Sequence, residues 1–288
     1  MFKSASDSPV STASISLVSG RTVATSSRVA GRGLHGGGRS VVQLRPTTQP
    51  GIRFLVGEAV VPVHVRHATA PGGRTRLEVG QARVDTPEHL LGAVAGLGIT
   101  HLDIVLEGAE LPALDGSAAE WVHALGEPVP AGPITGVGVD EPVVVEAFGG
   151  IARAWPADGV ELQVDIDFGP AARGRFTLDL TPASFRDELA WARTFLPHAA
   201  LDAVLASGRG QGVDPGSVVV LGPRGPLVPV RGAQECARHK ALDLLGDLAL
   251  AGAPIRGRFH VERGTHALHQ ALVRRLLKEP APPPPRSG

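Results

Sequence analysis

The hydrophobic pattern along the chain changes period several times, and each change marks an element. Short runs of alternating apolar and polar positions read as strands at Thr22 to Val29, Ser40 to Leu44, Ile52 to Leu55, Val60 to Val65 and Leu102 to Leu106. Before the last of these the pattern turns helical from Glu88, with Thr86 as N-cap, Pro87 at the first helical position and Gly96 or Gly98 as the stop. Pro128-Val129-Pro130-Ala131-Gly132-Pro133 breaks both periods and reads as a linker. Beyond it, Pro142 to Ala147, Ile151 to Trp155, Val160 to Phe168 and Arg173 to Leu180 predict an antiparallel meander, turning at Gly149-Gly150, Asp158-Gly159 and Gly169-Pro170. A helix from Thr181 to Trp191, a short piece at Leu201 to Ala206, a strand from Ser217 to Leu221 and a helix from Glu235 follow. A strand from Ile255 to Val261 and a helix from Ala267 to Leu277 complete the series. Strands grouped ahead of helices in each half predict an α+β fold rather than a doubly wound parallel sheet. The expected boundaries are a first domain over 21–127, a linker over 128–137 and a second domain over 138–278.

The helix from Glu235 carries the most chemistry. Leu242, Leu244, Leu245, Leu248, Ala249 and Leu250 are too dense for a helix with one wet side, so most of its surface is buried. His239, Asp243 and Asp247 nevertheless recur every four residues, each offset by roughly 40° from the last, so all three share one face. A His and an Asp one turn apart can chelate one divalent ion, because imidazole nitrogen and carboxylate oxygen both ligate zinc at about 2.0–2.2 Å. Asp247, a turn further on, is placed to support the ligands or set a neighbour's pKa. An ordinary buried helix with a hydrogen-bonded His and Asp is the other reading. Glu88 and His89 stand in the first turn of the earlier helix, and the two stretches resemble each other: a His opens an apolar helix, and a β-rich run follows at His101 to Leu106 or Ile255 to Val261. Two similar halves facing each other through their helix N-termini would bring one His from each together.

Composition narrows the picture. Lys plus Arg and Asp plus Glu balance at 28 each, which argues against a nucleic-acid partner. Cys236 is the single cysteine, so no internal disulfide is expected; a small buried residue is its simplest role, and the ligand face is the alternative. Residues 1–20, rich in Ser, Thr and Ala, read as a disordered tail rather than a signal peptide, and 279–288 as a proline-rich tail. No stretch approaches the roughly 18 apolar residues of a membrane span, so a soluble cytoplasmic protein is expected. Three lysines stand against 25 arginines, which makes Lys240, beside a proposed ligand, a position calling for a compact point charge.

Six motifs occur in order: Gly33-Leu34-His35, Thr86-Pro87-Glu88-His89-Leu90, Asp115-Gly116-Ser117-Ala118, Ala192-Arg193-Thr194-Phe195, Arg238-His239-Lys240 with Asp243 and Asp247, and Gly264-Thr265-His266-Ala267-Leu268. Together, from about Arg21 to Leu277, the chain resembles the bacterial UDP-3-O-acyl-N-acetylglucosamine deacetylase family, the zinc amidases of lipid A biosynthesis. The resemblance implies two similar two-layer β/α domains packed helix layer to helix layer, with Zn2+ at the interface. His89, His239 and Asp243 would supply three ligands and leave the fourth position open, as a catalytic zinc requires.

The resemblance further implies that Glu88 acts as general base, that Thr194 donates to the developing oxyanion, and that cationic His266, paired with Asp247, stabilises charge or protonates the leaving amine. Lys240, Thr194, Phe195 and His35 would contact the substrate, a UDP-linked acylated glucosamine met transiently at the membrane surface by a monomer. Three departures from the family pattern bear on substrate identity rather than on the metal or the proton transfers. Glycine precedes Pro170 where a His-Pro pair is usual, Leu196-Pro197-His198 follows Phe195 in place of glycine and an aromatic, and Thr75-Arg76-Leu77 replaces a run of threonines. The alternatives are a metallo-deacetylase of another N-acylated sugar and a non-catalytic zinc-stabilised binding protein.

Overall fold

A computed structural model describes residues 13–214 and 216–280. The chain enters strand β1 (Ala13–Val23) well inside the expected tail, so residues 13–20 are sheet rather than disorder, while residues 1–12 and 281–288 lie outside the described part. Then come β2 (Ser27–Arg32), β3 (Arg39–Arg45), β4 (Gly51–Val56), β5 (Ala59–Pro62), β6 (Ala68–Thr69), β7 (Arg76–Val79), β8 (Ala82–Asp85), helix α1 (Glu88–Gly96), β9 (His101–Glu107) and α2 (Ala119–Leu125). The second half contains β10 (Pro128–Val139), β11 (Val143–Ala147), β12 (Gly150–Trp155), β13 (Val160–Asp167), β14 (Arg173–Asp179), α3 (Pro182–Ser184), β15 (Phe195–Pro197), α4 (Leu201–Ala206), β16 (Val219–Leu221), α5 (Glu235–Leu248), β17 (Ile255–Glu262) and α6 (His266–Leu277). Sheets and helices together make a mixed α+β fold.

The two halves share one topology. The first main sheet runs β2-β3-β9-β4-β5, with β9 parallel to β4 and every other pair antiparallel. In the second, the order β11-β12-β17-β13-β14 repeats it, with β17 parallel to β13 and every other pair antiparallel. In each, a helix (α1 or α5) leads into the strand that fills the centre, so the weak sequence likeness reflects a repeated unit. Burial alternates along β12 and β13, so one face of that sheet is closed and the other is wetter.

The expected linker is instead most of β10. That strand pairs along its length with β1 but touches β17 only at Val137 and Gly138, so its proline-bearing part has a single neighbour. Pro128 and Pro130 are two residues apart and turn their donor-less nitrogens to the same side. A register shift between Ser19 and Arg21 changes the parity before Pro133, which is how three prolines fit one ladder. The helix expected over Thr181 to Trp191 is also shorter: α3 opens on a capping box between Thr181 and Ser184, then loosens into a π-helical turn over Phe185–Leu189. The single strand expected over Thr22 to Val29 is broken between β1 and β2, and the small β6-β7-β8 sheet has no counterpart in the pattern.

Helices α1 and α5 pack against each other, and glycines set how closely. A methyl group on Gly92 would sit 2.6 Å from Leu242 Cδ1, and one on Gly246 would sit 2.1 Å from the carbonyl oxygen of Glu88. Gly96 likewise makes room for the ring of Phe185, whose atoms would come within 2.3 Å of a Cβ there. A flexible side chain can shift away from Gly92, but helix backbone cannot retreat from Gly246. The variant Gly246→Ala is therefore expected to lose about 3 kcal/mol of stability, at the upper end of overpacking costs. Chemical denaturation measures this, and an unchanged midpoint contradicts the close contact.

Candidate active site

Each site helix is fixed at its N-terminus. Thr86 does not cap α1: it has a φ of +59°, its N–H donates to Thr75 O at 3.0 Å, and its hydroxyl donates to Glu110 Oε1 at 3.1 Å. The N-cap is Pro87, with no side-chain cap. A β-branched residue in the left-handed region is strained, and these partners hold it there, directing Glu88 and His89 inward. At α5 the carboxylate of Glu235 accepts from Arg193 Nε at 2.8 Å and from the N–H groups of Arg193 and Arg231 at 3.1 and 2.7 Å. Arg193 and Glu235 are both buried, so the pair fastens the first turn of α5 to the segment that carries Thr194 and enters β15 at Phe195.

The contact between α1 and α5 brings three ligand atoms together. His89 Nε2 and His239 Nε2 are 3.1 Å apart, and each is 3.5 Å from Asp243 Oδ1. Ligand atoms about 2.0–2.1 Å from a tetrahedral ion lie roughly 3.3–3.4 Å from one another, so these spacings fit one divalent ion. Burial drives the pKa of His239 down to about 3, keeping it neutral as a ligand must be. Burial works to raise Asp243, but His239, Lys240 and His266 outweigh it and hold the carboxylate well below its usual range. Lys240 Nζ donates to the second oxygen, Oδ2, at 2.9 Å. Cys236 is buried, its thiol pushed up to about 11 mainly by burial, and it stands outside this ligand group.

Glu88 and His266 face each other beside the ligands, with His266 Nε2 3.7 Å from Glu88 Oε1 and 3.9 Å from Asp243 Oδ2. Burial raises Glu88 to about 7 against the pull of His266 and His89. His266 moves the other way: burial opposes its charge, but Asp247, Asp243 and Glu88 raise it to about 9. Asp247 is fully buried, and burial alone would raise it, yet His266 and His269 bring it down to about 2. Its Oδ2 accepts from His266 Nδ1 at 2.7 Å and His269 Nδ1 at 2.8 Å, and its Oδ1 from Thr75 Oγ1 at 2.5 Å.

A cleft of about 370 Å³ opens over these groups. Thr194 lines it, its hydroxyl donating only a long 3.4 Å bond to Gly116 O. Phe195 also lines it, edge to face with His239 at 5.6 Å and with Phe168 at 4.9 Å. His35 reaches the same cleft on a turn tied down by Glu110, which accepts from the N–H groups of His35 and Gly36 at 2.9 Å each. Burial, with Arg74 and Arg209 against Glu110, lowers the His35 pKa. All ten candidate residues thus lie on the cleft or, for Asp247, directly beneath it.

The sequence matches the family described as UDP-3-O-acyl N-acetylglycosamine deacetylase over residues 20–278. The chain belongs to that family. A UDP-3-O-acyl-N-acetylglucosamine deacetylase of Anaeromyxobacter sp. (strain Fw109-5) is 36% identical over 270 residues, covering 90% of this chain and 89% of that protein. Proteins of the same name from Brucella melitensis biotype 2 and Brucella ovis are each 34% identical over 275 residues, covering 90% of this chain and 95% of theirs.

Among the residues gathered at the site, His269 and Gln270 belong to none of the six motifs, and Thr75 stands out in the sequence only as part of a departure from the family pattern. His269 follows His266 by three positions on α6, a spacing that places both on one face and could have flagged it. Thr75 and Gln270 hydrogen-bond each other at 3.1 Å beneath Asp247, but their separation of 195 positions leaves no local signal. If the ligand set is His89, His239 and Asp243, Asp243→Ala should lose metal at limiting zinc far more than Asp247→Ala. Equal occupancy in the two variants by elemental analysis overturns the assignment.

Proposed function

We propose that this chain hydrolyses the N-acetyl amide of a UDP-linked 3-O-acyl-N-acetylglucosamine, releasing acetate and the free amine for lipid A synthesis, with zinc held by His89, His239 and Asp243. The observation carrying this reading is the acid–base pair beside the ligand group: Glu88, with a pKa near 7, faces His266, with a pKa near 9, across 3.7 Å. The donor set and its spacing suit zinc, which when bound supplies Lewis-acid polarisation of an acyl oxygen and acidifies water. The repeated topology and the α1–α5 contact support two similar β/α domains packed helix layer to helix layer around the site, with a boundary near β10. No described helix is long and apolar enough to cross a membrane, and the reading takes the cytoplasm as its compartment.

Glu88 accepts a proton from the water that attacks the acetyl carbon. As the carbonyl oxygen gains charge, the Thr194 hydroxyl turns from its long bond with Gly116 O and donates to it. His266, kept cationic by Asp247, stabilises that charge and passes a proton to the departing amine, so acetate and amine leave together with one water consumed. Lys240 and His35 contact the sugar nucleotide at the rim, and Phe195 packs against it.

Replacing the base while keeping its shape tests the reading directly. Glu88→Gln should retain fold, zinc and substrate affinity while acetate release falls by at least about 10²-fold. A variant that keeps zinc and turns over at the wild-type rate contradicts the mechanism. The activity profile should be a bell, rising as Glu88 deprotonates near pH 7 and falling as His266 loses its proton near pH 9. Removing the negative charge at Asp247→Asn makes imidazolium less favourable, so the alkaline limb should move down by about one unit or more. A limb that stays in place means His266 does not depend on Asp247.

A further inference from the structure

A second cavity, about 330 Å³ in volume and within the range of small-molecule sites, adjoins the cleft through shared His35 and Arg74 walls. Arg39, Arg74, Arg83 and Arg209 line it, and among the described residues Asp85 and Glu110 are its acidic members. Glu110 is already taken up by two backbone N–H groups and the Thr86 hydroxyl. Asp85 is held in a fork by Arg76, at 2.5 and 3.1 Å, so it offers Arg83 and Arg74 only longer contacts of 3.3 and 3.6 Å. Arg39 has no ion pair among the described residues, and Arg209 donates to Gly72 O and Ser207 Oγ, both uncharged.

Two of these groups are held in place. Arg74 and Arg209 come from segments far apart in sequence, yet their Nη1 atoms converge on Gly72: a Cβ there would lie 3.3 Å from the first and 3.1 Å from the second. Arg74 is largely buried, and its Nε has no hydrogen-bond partner among the described residues. Converging like charges with an unused buried donor are unfavourable unless an anion sits between them. Four guanidinium groups against two carboxylates leave an excess of two positive charges, which matches a phosphate dianion better than a single carboxylate. Guanidinium forks bind phosphate oxygens in pairs.

From this we infer that the arginine-lined cavity is a phosphate-binding annex to the catalytic cleft. The phosphate can be free, carried by a nucleotide, or carried by a lipid headgroup, and the inference does not rest on amide hydrolysis because binding is read directly. The zinc-loaded full chain is titrated with inorganic phosphate, with uridine diphosphate, and with phosphatidylcholine vesicles containing phosphatidylglycerol. At least one probe should bind the wild type, and Arg209→Gln and Arg74→Gln should each weaken that binding about tenfold. Arg258→Gln, which lowers net charge equally at an exposed side chain paired with Glu161, should leave it unchanged. Thermal unfolding checks that each variant is folded. Loss confined to uridine diphosphate assigns the phosphate to a nucleotide, loss confined to vesicles assigns it to lipid, and loss for phosphate itself assigns it to the free ion. The inference fails if no probe binds, or if Arg209→Gln and Arg74→Gln, both folded, bind every probe as the wild type does.

Discussion

Everything at the site depends on how closely two helices approach. Gly246 lets the backbone of α5 lie against the carbonyl of Glu88, and Gly92 returns the contact from α1 to Leu242. That spacing sets the 3.1 Å between His89 and His239, residues on different helices, and it puts Glu88 opposite His266. The N-terminal fastenings serve the same end. The Arg193–Glu235 pair orients α5, while Thr86 accepts a strained backbone to aim α1. Deeper in the interface, Asp247 collects three hydrogen bonds from α6 and from the segment just before β7, so the far side of the site is held as well.

Burial does not act alike on the carboxylates here. Glu88, Asp243 and Asp247 are all buried, yet Glu88 rises to about 7 while the two aspartates fall below their ordinary values. What separates them is partners. Asp247 is enclosed by His266, His269 and Thr75, and Asp243 is met by Lys240 and the histidines, so their charge is favoured despite burial. Glu88 Oε2 has no hydrogen-bond partner among the described residues, so desolvation dominates. A carboxyl group poised near neutrality can take up a proton and give it back, which fully partnered carboxylates cannot do.

Local sequence carried the elements that depend on period and left out those that depend on partners. The four-residue recurrence of His239, Asp243 and Asp247 is a property of one helix and was legible. The His-then-helix-then-strand likeness was faint, because it lay in chain order rather than in residue identity, and the shared strand order makes it plain. The prolines of β10 misled because a strand with a single neighbour can carry them, and that neighbour, β1, lies more than a hundred residues earlier. Thr86 was misread for the same reason: its role is set by Thr75 and Glu110. Gln270 was invisible and Thr75 stood out only as a departure from the family pattern, since nothing near either one in sequence marks a place beneath Asp247.

The proposed division of the ligands between the halves would have a mechanical consequence. On the proposed ligand set, His89 stands on α1, just before the central strand of the first sheet, and His239 and Asp243 on α5, just before the central strand of the second, so an ion bound to all three would tie one half to the other as a strut. Neither half carries that full donor set, so separating them would mean giving up the ion, and the free energy of parting would rise with the concentration of available metal. On that proposal, affinity for metal and the contact between α1 and α5 would be one quantity seen from two sides: a chelator would loosen the seam, and whatever loosens the seam would release the ion.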